Sequence, residues 1–353
     1  MKLPRPEPSA GVLAYATERE DCLSLDPLKR ENFKTYLKDR KALTGFLPIK
    51  LDIENCSRCN FACTMCAVSK WAHGKRAKDM TLEEFKHLID EQYGLVEIKL
   101  NGLGEALMQG DDYFEMIKYA RSKRIWVRMT TNGSLLHLRD NYKKLIDSGV
   151  NEIDISIDGA NKKVFEGIRI QSDFDQVIEN AKLLNTYCES LGIIRTKMWT
   201  LVQKGNYTDL VNHLHLAEYM RFRNVVFSLN MHGWADPELK VRNEAEMVTL
   251  SDDYLGHLLE TAKNKGIRLS FWDVNDKFDT DKPENLCPWP FERSLVTSDS
   301  RTVPCCMIAD PSKFEFGEGK KTFLQNWTGK EYEDFRRSHL EGRIPDVCKA
   351  CYK

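Results

Sequence analysis

The sequence predicts an α/β protein in which an open, partial (β/α)6 barrel is followed by a small α+β domain. Short apolar segments alternate with amphipathic helices from about residue 48 to residue 272, a pattern typical of βαβ units in a parallel sheet. Six such units are too few for a closed eight-stranded barrel. After residue 273 the chain becomes polar and rich in turn residues, which indicates a domain boundary.

Period-two or continuous apolar patterns predict the strands, and helical periodicity predicts the segments between them. In the helix that follows Thr81, that residue and Glu84 have the spacing of a capping box. Helices are also predicted over 173–191 and 251–265. The predicted strands cover residues 49–54, 96–102, 125–133, 152–159, 195–202, 224–229 and 267–273.

We divide the chain into an N-terminal extension (1–47), the partial barrel (48–273) and a small C-terminal domain (274–353). In the extension, residues 25–43 are helix-prone, and one interpretation is that they cover the open side of the barrel. The C-terminal domain is predicted to hold a hairpin around Ser298 to Arg301 and a helix over 330–341. So short a domain needs a staple, which a metal could supply.

The composition excludes some classes of protein. The formal net charge is −1, whereas proteins built to bind nucleic acid usually carry a basic excess. No apolar run approaches the roughly 20 residues that span a bilayer, and the first ten residues lack the apolar region of a secretory signal. We therefore predict a cytoplasmic protein that binds neither nucleic acid nor membrane.

Eleven cysteines are distributed unevenly. Four lie within residues 56–66 and five lie from Cys287 to the end of the chain, while Cys22 and Cys188 stand alone. Clustered cysteines in a chain without a secretory signal more often bind metal or carry out redox chemistry than form disulfides. The distribution therefore predicts two metal sites.

The first cluster reads Cys59-x3-Cys63-x2-Cys66 and directly follows the first strand. Three thiolates on one loop can bind three irons of a [4Fe–4S] cluster, and the fourth iron stays open for a ligand. The alternative is a zinc knuckle with Cys56 as the fourth ligand. A loop at the carboxyl end of the first barrel strand is where βα folds place their active sites.

Cys59, Asn60, Cys63 and Cys66 resemble the signature of the radical S-adenosylmethionine (SAM) superfamily. The resemblance implies that the open iron chelates the amino and carboxylate groups of SAM. Reductive cleavage of SAM would then produce a 5′-deoxyadenosyl radical that abstracts hydrogen from a substrate, while the protein positions the cofactor.

Two further motifs are similar to those of this superfamily. Gly104 and Glu105 belong to a glycine-rich segment, 101–105, that resembles the motif contacting the SAM amino group. Glycine allows close approach of the backbone, and a carboxylate offers acceptors to an ammonium. Thr131 and Asn132 begin a Thr-Asn-Gly tripeptide found in related barrels, and an ordinary tight turn is the alternative for both motifs.

Ser156 and Arg169 follow in the expected order. The resemblance implies that they contact the ribose and carboxylate of SAM, and a planar guanidinium suits a carboxylate because it can bind both oxygens. Solvated surface positions are the alternative. Asn230, near the end of the sixth strand, is a further candidate beside the adenine.

The second cluster comprises Cys287, Cys305, Cys348 and Cys351. Four thiolates suit zinc or an iron–sulfur cluster, and ligand type alone does not separate these metals. Beside the first motif, the pattern resembles the auxiliary-cluster module called Twitch, a short form of SPASM, as in aminocyclitol dehydrogenases of the 2-deoxy-scyllo-inosamine type. The resemblance implies a second [4Fe–4S] cluster bound by these four residues.

Four other cysteines have different interpretations. Cys306 could replace Cys305 as a ligand, pack as a free thiol or donate a hydrogen atom to a substrate radical. We expect Cys56 to fill space beside the first cluster and Cys188 to be a buried apolar residue on its helix. Cys22 receives no role.

The expected reaction is a two-electron oxidation of a sugar or aminocyclitol carbinol, with the auxiliary cluster as electron acceptor. The implied partners are this small polar substrate and an electron donor such as flavodoxin or ferredoxin. Peptide modification is one alternative, although relatives of that kind often carry an N-terminal peptide-binding domain and only 48 residues precede the first predicted strand. The others are a cysteine-dependent epimerase and a non-catalytic zinc-binding interaction protein.

No catalytic base is predicted. Aromatic and polar residues near predicted strand ends or the cysteine loop could line a substrate pocket, and ordinary packing is the alternative for each one. These candidates are Trp71, His73, Trp199, His232, Trp234 and Asp236.

Overall fold

A computed structural model of the chain describes residues 2–39, 43, 45–71, 78–273 and 277–353. These residues belong to two compact units that interleave along the sequence. The described residues of the first unit are 2–15, 59–71 and 128–273, and those of the second are 16–39, 43, 45–58, 78–127 and 277–353. Neither unit matches the predicted linear domains, whose boundaries remain predictions.

The first unit is built on parallel strands in the order β3-β4-β5-β6-β7. The strands are β3 (Trp126–Thr131, which begins in the second unit), β4 (Glu152–Ser156), β5 (Thr196–Leu201), β6 (Asn224–Ser228) and β7 (Arg268–Trp272). The helices are α5 (Asn141–Asp147), α6 (Lys162–Ile168), α7 (Phe174–Ser190), α8 (Leu210–Tyr219), α9 (Pro237–Glu246) and α10 (Asp252–Asn264).

The second unit combines the first two barrel strands with the end of the chain. Its strands are β1 (Lys50–Ile53), β2 (Glu97–Leu100), β8 (Leu295–Val296) and β9 (Thr302–Val303). Its helices are α1 (Val12–Ser24, which begins in the first unit), α2 (Pro27–Lys38), α3 (Leu82–Glu91), α4 (Asp111–Ser122), α11 (Trp289–Glu292), α12 (Phe323–Trp327) and α13 (Lys330–Leu340). Strand β1 pairs in parallel with β2 and β8, and β9 pairs antiparallel with β8.

Helix ends follow the local chemistry of the sequence. Thr81 and Glu84 form the predicted capping box at the start of α3, each accepting a hydrogen bond from the other's backbone amide. Asp26 caps α2, and Pro27 occupies its first turn, where no amide is needed. The buried residues of α3 are Phe85, Leu88 and Ile89, three of the four predicted for its apolar face, and Leu82 is half-buried.

The α/β class with a mostly parallel sheet is confirmed, and every predicted strand forms within three residues of its expected ends. The helices predicted over 173–191, 251–265 and 330–341 correspond to α7, α10 and α13. The predicted C-terminal hairpin is β8–β9, closed where the Thr297 amide donates to the Arg301 carbonyl (2.9 Å). Helices α1, α6, α9, α11 and α12 were not predicted. No helix in the described residues is long and apolar enough to cross a membrane.

Candidate functional site

The first cysteine motif (residues 59–66) forms a single loop of the first unit. Its backbone is held by hydrogen bonds to the segment that ends α6. The amide of Ala62 donates to the carbonyl of Ile170 and the amide of Thr64 donates to that of Ile168, each at 2.9 Å. These bonds satisfy main-chain groups that lie outside regular secondary structure, so the thiols sit on a loop with a defined path.

Asn132, which directly follows β3, ties this loop to the neighbouring strand. Its Nδ2 donates to Oδ1 of Asn60 (2.9 Å) and lies 4.0 Å from Sγ of Cys59. Its Oδ1 accepts hydrogen bonds from the amide (2.9 Å) and hydroxyl (2.7 Å) of Ser134. The predicted Thr-Asn-Gly motif therefore lies directly beside the predicted cysteine motif.

Arg169 is also brought to the cysteine loop. It is 8% exposed, pairs with Asp158 (2.7 Å) and places Nη1 3.9 Å from Sγ of Cys63. Its Nε has no hydrogen-bond partner among the described residues. A buried N–H group without a protein acceptor can donate a hydrogen bond to an anionic ligand. A carboxylate suits this position because its two oxygens can both accept hydrogen bonds from the planar guanidinium.

Burial favours the neutral form of the thiols on this loop. Burial raises the pKa of Cys63 to about 11 and also raises that of Cys66, although the positive charge of Arg169 opposes both shifts. A bound metal reverses this balance because a coordinating thiol loses its proton. Thiolates are the ligands of iron–sulfur clusters, so the chemistry of this donor set fits such a cluster.

In the second unit, Gly104 lies against the backbone that leads into the cysteine loop. A Cβ at this position would lie 2.3 Å from the carbonyl oxygen of Cys56 and 2.5 Å from that of Arg58. The amide of Glu105 donates to the same Arg58 carbonyl (2.8 Å). The Glu105 side chain is buried, and its Oε1 accepts from the amide of Leu107 (3.3 Å). Glycine is required here by close packing rather than by backbone conformation.

The four predicted C-terminal ligands, Cys287, Cys305, Cys348 and Cys351, all lie in the second unit. The hydroxyl of Tyr352 accepts a hydrogen bond from the amide of Cys287 (3.0 Å). Tyr352 directly follows Cys351 in the chain, so this bond brings the first and last cysteines of the motif near each other.

Cys305 and Cys306 face different neighbours. Burial raises the pKa of Cys305 well above the ordinary range for a thiol, and Cys306, Cys287 and Cys348 raise it further. Burial also raises the pKa of Cys306 to about 11, but its next strongest influence is Asp52. Cys305 therefore interacts with two other members of the predicted ligand set, which supports Cys305 as the ligand.

No three metal-binding side chains of the described residues converge on a point that would hold a single ion. A [4Fe–4S] cluster differs from one ion because each thiolate binds a separate iron. The four C-terminal thiols are half-buried, and their soft thiolate donors fit such a cluster in chemistry.

The remaining predicted residues have varied surroundings. Ser156 ends β4 and is half-buried. The Thr131 hydroxyl accepts from the Gly133 amide (3.1 Å). Asn230 donates to Asp273 (3.1 Å). None of these observations involves SAM, so the SAM contacts expected of Ser156, Thr131 and Asn230 remain predictions.

Most candidate pocket residues are involved in local packing. Asp236 caps α9 by accepting from the Leu239 amide (2.9 Å). Trp199 packs near Trp272, with ring centroids 6.2 Å apart, and His232 near Trp234, at 5.9 Å. His73 lies outside the described residues, and Trp71 is half-buried.

Cys22, Cys56 and Cys188, which lie outside both predicted ligand sets, are all buried. Cys188 is buried on α7, as predicted. Cys22 is buried on α1, and its Sγ lies 3.3 Å from Nζ of Lys29, a contact that the sequence did not suggest. Cys56 is fully buried, and its thiol lies 3.7 Å from the carbonyl oxygen of Arg58.

Asp52 is a candidate that the sequence analysis missed. It is 3% exposed, and its Oδ1 has no hydrogen-bond partner in the described part of the chain. It lies opposite Lys99 in the β1–β2 register, and its negative charge contributes to the raised pKa of the Cys306 thiol. Residues 50–54 alternate charged and apolar side chains, which places the charged ones on one face of the strand. That alternation was the available signal.

Two family models match the chain. The radical SAM superfamily matches residues 55–217, and the iron–sulfur cluster-binding SPASM domain matches residues 287–352. Together with the alternating parallel strands and helices, these matches confirm the predicted partial radical SAM barrel and SPASM-like C-terminal domain. Proteins with these domains use SAM and a [4Fe–4S] cluster and hold additional iron–sulfur centres.

Comparisons of sequence and of structure both find proteins that resemble this chain. Mycofactocin maturase MftC of Mycolicibacterium smegmatis is 29% identical over 172 residues, which are 48% of this chain and 42% of that protein. The chain also spans 47% of a GTP 3′,8-cyclase of Shewanella denitrificans, so it covers less than half of either relative. The crystal structure of Streptococcus suis SuiB bound to precursor peptide SuiA has a similar fold, with a TM-score of 0.66 and 13% identity over 91% of this chain and 79% of that one.

The GTP 3′,8-cyclase of Aliarcobacter butzleri resembles the chain over a larger share of both proteins. It is 33% identical over 266 residues, which are 72% of this chain and 78% of that protein. The two family matches cover the segments that contain the two thiol sets, residues 59–66 and 287–351. The chain therefore belongs to the radical SAM superfamily and carries a C-terminal SPASM domain.

Proposed function

We propose that this protein is a radical SAM oxidoreductase that oxidises a carbinol of a sugar or aminocyclitol. The observation that carries the proposal is the unequal size of the two thiol sets, three on the loop at 59–66 and four near the C-terminus. Three thiolates leave one iron open for SAM, whereas four occupy every iron of a cubane. The second cluster would then be suited to electron transfer rather than to substrate binding.

Cys59, Cys63 and Cys66 would hold the first cluster, and Cys287, Cys305, Cys348 and Cys351 the second. The environment of Arg169, with a buried N–H group that has no partner among the described residues, supports contact with the SAM carboxylate. The residues assigned to other parts of SAM by their match to family motifs are Gly104, Glu105, Thr131, Asn132 and Ser156.

When bound, the first cluster with SAM supplies a 5′-deoxyadenosyl radical, and the second cluster supplies an electron acceptor. A carbinol that becomes a carbonyl loses one hydrogen atom, one proton and one electron. We assign the proton to Asp52, because a buried carboxylate oxygen without a donor in the described residues can accept a hydrogen bond from a substrate hydroxyl. Lys99, opposite it in register, would stabilise the carboxylate before the proton arrives.

Peptide modification is the second candidate. It is favoured by the similarity to mycofactocin maturase over 48% of the chain. A third, epimerisation, would use Cys306 as hydrogen donor, and the position of this thiol near Asp52 supports a place beside a polar substrate. A thioether cross-link or an epimer, unlike an oxidised carbinol, contains no new carbonyl group.

The proposed partners are a small polar substrate and a one-electron donor of the flavodoxin or ferredoxin type. A net charge of −1 gives no general attraction to nucleic acid. We propose a cytoplasmic location, where thiols stay reduced and can bind iron.

Product analysis tests this function. The reconstituted protein, incubated anaerobically with SAM, a reductant and a panel of sugars and aminocyclitols, should form one 5′-deoxyadenosine for each carbonyl product. Asp52→Asn should lower carbonyl formation by about 100-fold or more, the usual range for a lost general base, while SAM cleavage continues. Asp112→Asn, at an exposed position of α4, is the matched control and should keep its rate.

An epimer or a cross-linked peptide as the sole product would contradict the oxidation. The metabolite that accumulates when the gene is deleted would identify the natural substrate. An oxidisable peptide in that role would replace the sugar or aminocyclitol in the proposal.

A further inference from the structure

Arg336, on α13, is a buried cation in the second unit. It is 3% exposed. Its Nε donates to the carbonyl of Pro290 (2.8 Å), and its Nη1 donates to those of Trp327 (2.9 Å) and Leu43 (3.1 Å). All three partners are neutral backbone acceptors, so they satisfy hydrogen bonds without balancing the charge.

Aromatic rings complete the surroundings of this guanidinium. Its Cζ lies 4.1 Å from the ring centroid of Trp327 and 4.2 Å from that of Tyr332. Cation–π contacts offset only part of the cost of removing a charge from water. Burial lowers the pKa of Arg336 to about 10, which still leaves it protonated at neutral pH.

Arg336 forms no ion pair with any described carboxylate. Glu333, one turn earlier on α13, makes only the smallest contribution to the pKa of Arg336. Its carboxylate is paired with the exposed Arg337 (2.5 Å). An uncompensated buried charge is strongly destabilising, so a negative partner for Arg336 is expected in the holoprotein.

Two observations place Arg336 beside the C-terminal thiol set. Its acceptor Pro290 lies three residues after Cys287 in the chain. The Tyr332 ring lies 4.2 Å from Cζ of Arg336, and burial, together with the nearby Cys305 and Cys348 thiols, raises the pKa of Tyr332. The guanidinium is therefore hydrogen-bonded to the segment that follows Cys287 and packed on a ring that lies near Cys305 and Cys348, and its burial leaves its charge poorly screened.

We propose that Arg336 is the positive charge that balances the auxiliary cluster and raises its reduction potential, an inference that rests on the proposed ligand set of Cys287, Cys305, Cys348 and Cys351. Four thiolates give a [4Fe–4S] cluster a net negative charge, and reduction adds one more. A fixed cation nearby stabilises the reduced form more than the oxidised form. The cluster becomes a better acceptor of the electron left by substrate oxidation.

The test isolates the auxiliary cluster by replacing Cys59, Cys63 and Cys66 with alanine. In that background, iron content and the midpoint potential from an anaerobic redox titration are compared for the parent, R336Q, R336K and R337Q. R336Q should keep about four irons. Its ratio of reduced to oxidised cluster at a fixed potential should be at least tenfold lower, which corresponds to a decrease of about 59 mV in the midpoint potential for one electron. R336K preserves the charge and should stay near the parent potential, as should R337Q at the exposed neighbour.

An unchanged potential in R336Q with full iron content would overturn the proposal, and so would R336K falling as far as R336Q. If R336Q loses its cluster, the midpoint potential of R336K becomes the test. A potential equal to that of the parent supports the effect of charge, whereas a decrease that corresponds to a tenfold change in the ratio of reduced to oxidised cluster contradicts it. A parent background that binds no iron would refute the ligand set instead, so the two failures are distinguishable.

Discussion

Gly104 shows how the size of a single residue can matter for the backbone that precedes the first cysteine loop. Any side chain there would collide with two backbone carbonyls of residues 56–58, immediately before Cys59. Gly104→Ala should therefore displace this backbone, lower the free energy of unfolding by about 1–3 kcal/mol, as overpacking does, and weaken SAM binding. Denaturant titration and calorimetry with SAM measure the two effects.

Gly256, inside α10, provides the matched control, since a Cβ there meets nothing within 4 Å. Gly256→Ala should leave SAM affinity unchanged and stabilise the protein by up to about 1 kcal/mol through helix propensity. Equal losses of SAM affinity in both variants would show that Gly104 has no local role.

At the residue scale, the sequence motifs predicted most of the candidate site residues, but they did not predict which other residues those side chains contact. The motif pattern predicted Arg169, yet nothing in the pattern indicated its pairing with Asp158. The choice between Cys305 and Cys306 also needed three-dimensional neighbours, because adjacent residues have nearly the same sequence context. Asp52 escaped notice because an unpartnered carboxylate oxygen is a property of packing.

At the scale of elements, α3 depends on its capping box. Thr81→Ala removes the hydroxyl that accepts from the Glu84 amide, so thermal or urea unfolding should show a loss of about 1 kcal/mol. Thr81→Ser keeps the oxygen and should lose much less. A serine variant as unstable as the alanine variant would show that the methyl group, rather than the hydrogen bond, stabilises this end of α3.

Strands and the longer helices were predictable because burial imposes a period on the sequence. The segment at 173–191 places its apolar residues on one stripe, and α7 buries Val177, Ala181 and Leu184 there. Helix α1 was missed because only Cys22 and Leu23 of its residues are buried, which leaves little periodicity to detect. The hydrogen bonds between the cysteine loop and residues 168–170 join irregular segments, which carry no periodic signal.

At the scale of the whole molecule, stability should fall in mild acid. Burial lowers the pKa of His213 and of His232, so both are neutral in the folded protein. An unfolded histidine gains a proton below about pH 6.5, whereas these folded ones resist it. Stability is therefore fully present above that pH and is lost as the pH falls towards the folded-state pKa values.

His213→Gln should make this pH dependence shallower, as followed by urea unfolding between pH 7 and pH 5. His215→Gln, exposed on the same helix α8, should retain the dependence of the parent. Identical slopes for all three proteins would remove His213 from the account.

The most direct test of the account concerns the open cluster on the first cysteine loop. Iron and 5′-deoxyadenosine are measured after anaerobic reconstitution and reduction of the parent, Cys63→Ala and Cys56→Ala. We expect about eight irons in the parent and in Cys56→Ala, both cleaving SAM, and about four irons without SAM cleavage in Cys63→Ala. SAM cleavage by Cys63→Ala, or a parent that binds two zinc ions and leaves SAM intact, would contradict it.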